Sequence, residues 1–277
     1  MAAGRVARHE TRKLVRPRPV APSQPTPPPP VETIQDELAV EEPLELRVGD
    51  EAIGLVLRTP GDDRDLAAGF LYTRGLVRSE KDLKHLWQKP GVANAVQIQF
   101  EDGVAFDRSR LQRNLFHAGD AVVSGMAALE RVKSELPPLS SNRVRIDVLY
   151  DLASTLRRAR THFHRNGGMH AAAIFDLKGT LHMLREDVER MNAIDKSIGA
   201  MLLQGRVPLD NFILLATGRS GFEMLFKAVM SRIPIVCSNN APSSLAVETA
   251  REMGITLLCF LPGEEMNIYT HAERIEV

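Results

Sequence analysis

An α/β protein with a β-rich N-terminal subdomain is the fold class that the sequence predicts, and three observations carry it. In the C-terminal third, apolar runs of strand length alternate with amphipathic stretches of helix length: Phe212 to Ala216, Phe222 to Met230, Ile233 to Cys237, Ser243 to Met253 and Ile255 to Phe260. Strands alternating with helices at this spacing imply right-handed crossovers and a parallel sheet. Nearer the N-terminus the dominant period is two, the mark of strands. The composition, 44% hydrophobic and 25% charged over 277 residues, supplies a sizeable core.

Bulk properties exclude several classes of function. Thirty-five basic against thirty-five acidic residues leave no net charge, so neither a nucleic acid nor a membrane is called for as partner. No apolar run approaches the roughly 18 residues of a spanning helix, and the basic N-terminus lacks the apolar centre of a signal peptide; a cytoplasmic protein is the simplest expectation. The two cysteines, Cys237 and Cys259, sit inside apolar runs, the setting of small buried side chains in a reduced compartment.

The elements follow in order. Residues 1–33 hold eight of the seventeen prolines and little to bury, which predicts a disordered or polyproline II tail, either solvated or a docking segment. Residues 34–115 read as the β-rich subdomain. Leu44, Leu46 and Val48 alternate with polar residues, Gly49-Asp50 turns, and Ile53 to Leu57 returns. Gly61-Asp62-Asp63 then opens a helix whose inner face holds Leu66, Ala67, Phe70 and Leu71. A second hairpin is expected from Ala95 to Phe100 and Val104 to Asp107 about a Glu-Asp-Gly turn. Residues 116–142 read as a loop and helix, and residues 143–277 as the α/β core. The core opens with a strand from Arg145 to Tyr150 and a helix from Asp151 to Arg165 that faces Leu152, Leu156 and Phe163 inward.

Candidate chemistry concentrates between Gly167 and Gly199. Asn166-Gly167-Gly168 permits close backbone approach. His170 begins an apolar strand, Ala171 to Phe175, as a buried structural histidine or a ligand contact. Lys178-Gly179 turns, and Thr180 to Leu184 returns, delivering Arg185, Glu186 and Asp187 to the start of a helix. That helix is spaced by Val188, Met191, Ile194, Ile198 and Met201, with Asp187 placed to cap it. An arginine beside two carboxylates reads first as a salt-bridge network. The loop Thr217-Gly218-Arg219-Ser220-Gly221 is chemically the best anion site: glycines free the backbone, a helix N-terminus follows, and Arg219 can grip phosphate. Asn239, Asn240 and Ser243 on the next loop offer hydrogen bonds, with helix capping the plainer role for Ser243.

GGMHAAAIFD (167–176) followed by REDVERMNAIDK (185–196) resembles the signature of the formate dehydrogenase accessory proteins (FdhD), sulfur carriers that act on a molybdenum cofactor. The resemblance runs from about Glu41 to Arg274 and includes TGRSGFEMLFKA, APSSLAVETA and MNIYTH in the family's order and spacing. It implies a deaminase-like three-layer core and a place in formate dehydrogenase maturation. There the protein would bind molybdenum bis(molybdopterin guanine dinucleotide) and assist its sulfuration or delivery. Implied partners are formate dehydrogenase, a cysteine desulfurase and a second copy, as a homodimer. On this reading His170, Arg185, Asp187, Thr217, Gly218, Arg219, Ser220 and Asn240 are the candidate cofactor contacts. The turn Phe260-Leu261-Pro262-Gly263-Glu264-Glu265 joins them, since the family associates it with the guanine dinucleotide parts.

The sequence departs from the family in three places. RNLFHAGDAVVSGMAALE (113–130) aligns without a gap to a loop bearing a Cys-x-x-Cys pair whose thiolate carries persulfide; here those positions are Ala121 and Ser124, and neither can hold sulfur. Glu189 and Met191 stand where relatives usually carry glycine and histidine. Two carboxylates, Glu264 and Glu265, stand where relatives often place a base. Zinc is not expected either. Deaminase chemistry needs His-x-Glu and a later Cys-x-x-Cys, and this chain offers His170-Ala171-Ala172 and no paired cysteines. Two alternatives therefore stand beside the family function: a non-catalytic cofactor-binding chaperone that has lost sulfur transfer, and a nucleotide-binding regulatory protein.

Overall fold

The structure is a computed structural model that describes residues 5–14, 30–88, 92, 94–107, 111, 130, 132–160, 167–260 and 265–277. The expected α/β class holds. A six-stranded mixed sheet in the order β13-β12-β11-β10-β8-β9 forms the centre of the C-terminal half. Its strands are β8 (His170–Asp176), β9 (Leu181–Asp187), β10 (Phe212–Arg219), β11 (Ile235–Asn240), β12 (Thr256–Phe260) and β13 (Met266–Ile268). β10, β11 and β12 are parallel, as the alternation implies, while β8 and β9 join as an antiparallel hairpin.

Period-two burial sorts this sheet into two faces. Ala172, Ile174, Leu214, Ala216, Val236 and Leu257 face helices α3 (Arg190–Leu203), α4 (Phe222–Met230) and α5 (Ser244–Met253). Ala171, Ala173, Phe175, Ile213, Leu215, Ile235, Cys237 and Leu258 face helix α2 (Ile146–Ala159) through its Leu149, Leu152 and Leu156. This is a three-layer arrangement, with both faces of the sheet covered as a parallel sheet requires.

The N-terminal sheet has the order β4-β3-β6-β5, built from β3 (Glu42–Val48), β4 (Glu51–Arg58), β5 (Leu83–Gln88) and β6 (Ala95–Phe100). Its inner residues Leu44, Leu46, Val96 and Ile98 share one continuous core with helix α1 (Asp63–Thr73) and helix α3. The two helices touch backbone to backbone. A Cβ added to Gly69 would lie 1.9 Å from the Asp195 carbonyl oxygen, and one added to Gly199 would lie 1.9 Å from that of Asp65. Only glycine permits this approach.

Several expectations are corrected. Val6–Leu14 (β1) is not a solvated tail; it pairs antiparallel with Val31–Ala39 (β2), from Val6↔Ala39 to Leu14↔Val31. Valine, threonine and charge alternate there, and cross-strand Arg8–Glu37 and the base pair Arg5–Asp62 at 2.6 Å hold the arm. The prolines cluster beyond it, in residues 15–29, which lie outside the described residues. Val104 to Asp107 forms no strand, because Glu101 to Gly103 turns away. The partner of β6 is instead β5, whose single fully inward residue, Leu86, gave no alternation to read. The expected strand Arg145 to Tyr150 is a strand only at Val144–Arg145 (β7), and helix α2 begins at Ile146. The spacing of Leu149, Leu152 and Leu156 outweighs the β-branched run, and Asp147 accepts from the Val148 N–H at 2.9 Å in the first turn. The expected inward Phe163 lies outside the described residues.

Candidate functional site at the carboxyl ends of the parallel strands

The ends of β10 and β11, the start of β8 and the start of α3 meet at one edge of the central sheet, where α/β proteins characteristically bind ligands. The expected loop 217–221 is shorter than the sequence suggested, since β10 continues to Arg219 beyond an irregularity between Ala216 and Arg219 and pairs there with Asn240. Gly218 makes that irregularity, at φ 90°; a Cβ there would lie 3.3 Å from the His170 ring and 3.5 Å from the Arg190 side chain. Its N–H donates to Asn239 Oδ1 at 2.7 Å. Thr217 Oγ1 accepts from the Ala171 N–H at 2.9 Å and lies 3.3 Å from His170 Nδ1. Arg190, the first residue of α3, donates to the Arg219 carbonyl at 3.1 Å. His170, Thr217, Gly218, Arg219 and Asn239 therefore stand together, as the sequence suggested for separate loops.

The charge around them is positive. Burial holds the His170 imidazole below its usual pKa, and the Arg190 and then the Arg160 guanidinium push it further down, against a smaller upward pull from Thr217 and Asp187. Arg219 is exposed at the rim and Arg190 half-buried behind it. The α4 N-terminus adds its dipole from Gly221, an N-cap without a side-chain bond. Asn240 is exposed beside Arg219. Ser243 caps α5 by accepting from the Ala246 N–H at 3.2 Å, the plainer of its two roles.

Ser220 is fully buried, its hydroxyl against the Cys259 thiol, which also lies 3.1 Å from Ser238 Oγ. Phe260 ends β12 on this same edge and pairs with Met266. Leu261, Pro262, Gly263 and Glu264 lie outside the described residues, as do Ala121 and Ser124. Glu265 is exposed just before β13. Both thiols are buried, and burial raises both, Cys237 well above its ordinary value.

Arg185 points away from this cluster, and Asp187, although it is the ladder partner of His170, turns its carboxylate to other groups. Arg185 reaches α1, donating from Nε and Nη2 to Asp65 Oδ2 at 2.9 and 2.7 Å. Asp187 ends β9 rather than capping a helix, and its side chain is fully buried against Lys196 Nζ at 2.6 Å. It also accepts from the N–H groups of Thr59 and Glu189, while Lys196 donates to the Thr59 carbonyl at 2.8 Å. Asp195 pairs in the same way with buried Lys227 at 2.8 Å, and Glu186 with Arg160 at 3.3 Å. The acidic motif is thus the salt-bridge network that an arginine beside carboxylates first suggests, tying β9 and α3 to Thr59 and α1 on one side and to α2 and α4 on the other. Sequence reasoning missed Arg190. It lay inside the motif, but only the tertiary contact with Gly218 marks it.

Comparison with known proteins decides the family. Residues 39–276 match the model of the FdhD/NarQ family. The chain belongs to the FdhD/NarQ family. FdhD relatives include a Streptomyces coelicolor protein named sulfur carrier protein FdhD, 39% identical over 286 residues that cover 98% of this chain and 96% of that one. A Saccharolobus solfataricus protein of the same name is 38% identical over 246 residues, 87% of this chain and 91% of the other. A crystal structure described as a formate dehydrogenase accessory protein from Desulfotalea psychrophila has a TM-score of 0.73 over 97% of this FdhD chain and 99% of its own, at 22% identity; it speaks for the fold. Among the described residues no helix is long and apolar enough to cross a membrane, and no three His, Cys, Asp or Glu side chains converge as a metal site.

Proposed function

We propose that this FdhD chain is a cytoplasmic accessory protein for formate dehydrogenase. Its cargo is molybdenum bis(molybdopterin guanine dinucleotide), held at the carboxyl edge of β10 and β11 for sulfuration or delivery. The observation that carries the site is the positive cradle at Gly218, where a missing Cβ leaves room beside His170, and Arg190 and Arg219 offer guanidinium groups to a diphosphate. The cradle suits the phosphate and purine portions of the cargo. Asn239 and Asn240 add amide donors and acceptors suited to a purine edge, and Phe260 ends β12 at the same edge.

A second reading is favoured by one specific observation. The only thiols, Cys237 and Cys259, are buried with raised pKa values, and Ala121 and Ser124 carry no sulfur. Persulfide relay needs an accessible thiolate. The chain then acts as a cofactor-holding chaperone, with sulfur supplied by a partner such as a cysteine desulfurase or an intact relative. A regulator that binds nucleotides for another purpose is the third possibility, and a homodimer is the commonest assembly for either.

Thermal melting with GDP, against ATP as control, tests the site. A ligand at about 100 times its Kd stabilises by roughly 2.7 kcal/mol, enough to raise the Tm by several degrees. A rise with GDP alone supports cofactor handling. Equal rises with both favour the regulator, and no rise with either removes the nucleotide cradle.

A further inference from the structure

Strand β5 is an edge of the N-terminal sheet; among the described residues no strand pairs with its outer side. A cleft of about 380 Å³ runs beside that edge, between β5, the start of α1 and the end of α3. Leu86 and Leu203 give it an apolar floor, Arg64, Lys84 and His85 give it a basic wall, and among the described residues no carboxylate lines it. Trp87 closes one side, 40% exposed and edge-on to His85 at 6.3 Å.

Edge strands are commonly guarded by lysines and bulges. Here the bulge falls at Lys84, where the register passes from Leu83↔Phe100 to His85↔Gln99, and the strand beyond it, through Trp87, is regular and open. The ammonium of Lys84 lies 3.8 Å from an Asp102 carboxylate that is 96% exposed, a contact too long and wet to neutralise it. Arg64 has no ion-pair partner among the described residues. An open ladder edge, an exposed indole and uncompensated positive charge occur together, away from the cradle at Gly218.

We propose that β5 docks an extended acidic segment of a partner protein, which adds to the sheet as a fifth strand. Main-chain hydrogen bonds along Leu86 to Gln88 supply affinity. Period two then sends alternate partner side chains toward Leu86 and Leu203 or toward His85 and Trp87, and carboxylates meet Arg64 and Lys84. Charge complementarity selects the acidic partner.

Trp87 is the only tryptophan in the chain, so its fluorescence reads the cleft directly. Full-length protein is titrated with the blocked peptide (Glu-Val)3, with (Lys-Val)3, with a proline-interrupted acidic peptide, and with tripolyphosphate. The expected result is a saturable blue shift with (Glu-Val)3 alone, weakened at least about tenfold by R64E. Arg64 is exposed, so that variant keeps its fold, checked by an unchanged melting curve. Four results overturn the proposal: no shift with (Glu-Val)3, an equal shift with the lysine peptide, undiminished binding of the proline peptide, or competition by tripolyphosphate, which assigns the cleft to small anions.

Discussion

Replacing Gly69 with alanine puts a methyl carbon 1.9 Å from the Asp195 carbonyl oxygen, where real contacts do not fall below about 3.0 Å. Neither atom is the end of a flexible side chain, so relief requires helices α1 and α3 to part by more than an ångström. Parting them loosens the packing of Leu66, Phe70, Ile194 and Ile198 and pulls on the Asp195–Lys227 pair. Overpacking a core costs about 1–3 kcal/mol when side chains can adjust; here the backbone must move, so at least about 3 kcal/mol is expected. At about 2–4 °C per kcal/mol for a chain of this size, the Tm falls by roughly 6–12 °C. Gly199→Ala should do the same by the same contact. The double variant should cost much less than the sum, because helices already parted accommodate a second methyl. Gly221→Ser, where a Cβ meets nothing within 4 Å, is the control and should stay within about 0.5 kcal/mol. Differential scanning calorimetry reads all four. A Gly69→Ala protein that melts with wild type would refute the close crossing.

Lys196→Met should destabilise by about 3–5 kcal/mol, because it strands the buried Asp187 carboxylate; urea melts that show under 1 kcal/mol would discount the pair. Partial burial pushes the Asp176 carboxyl up, yet the His182 imidazole and the N–H groups of Thr180 and Lys178 outweigh it and hold the pKa at about 2, below the ordinary 3.8. Its contribution is therefore complete above about pH 4 and disappears as pH falls through 2, so the stability gap between wild type and Asp176→Asn should close over that window. Arg190→Ala and Arg219→Ala should each weaken GDP binding by several-fold in a folded protein, and unchanged affinity by calorimetry would remove that arginine from the site. After incubation with a desulfurase and cysteine, intact mass should show no added sulfur on wild type. A one-sulfur increment on Cys237 or Cys259 would restore the relay reading.

Much of the central sheet was legible in the sequence because its strands are buried on both faces and read as unbroken apolar runs: Phe212 to Ala216 and Ile255 to Phe260 needed no alternation. Helix α4 was legible to the residue. The arm β1–β2 was not, since it is held by a main-chain ladder and by Arg8–Glu37 and Arg5–Asp62, which a count of apolar residues overlooks. β5 was hidden for a related reason, an edge strand with one side chain inside. The Thr217 to Gly221 segment announced itself through glycines, whereas Arg190 becomes a candidate only through its closeness to Gly218. Arg185 and Asp187 read first as a salt-bridge network, but the sequence could not name their partners: Asp65 on α1 and Lys196 on α3 come from distant or packed elements.

The packing of α1 on α3 limits how the two halves of the molecule can move. Leu44 and Leu46 of the N-terminal sheet and Leu214 and Val236 of the central sheet belong to a single core, crossed by α1 and α3 at glycine contact. A hinge between the halves would have to tear that core open, at a cost comparable with unfolding. On the proposed reading, a ligand at the β10–β11 edge would enter and leave by local adjustment near Gly218, with the shared core of α1, α3 and the two sheets unmoved.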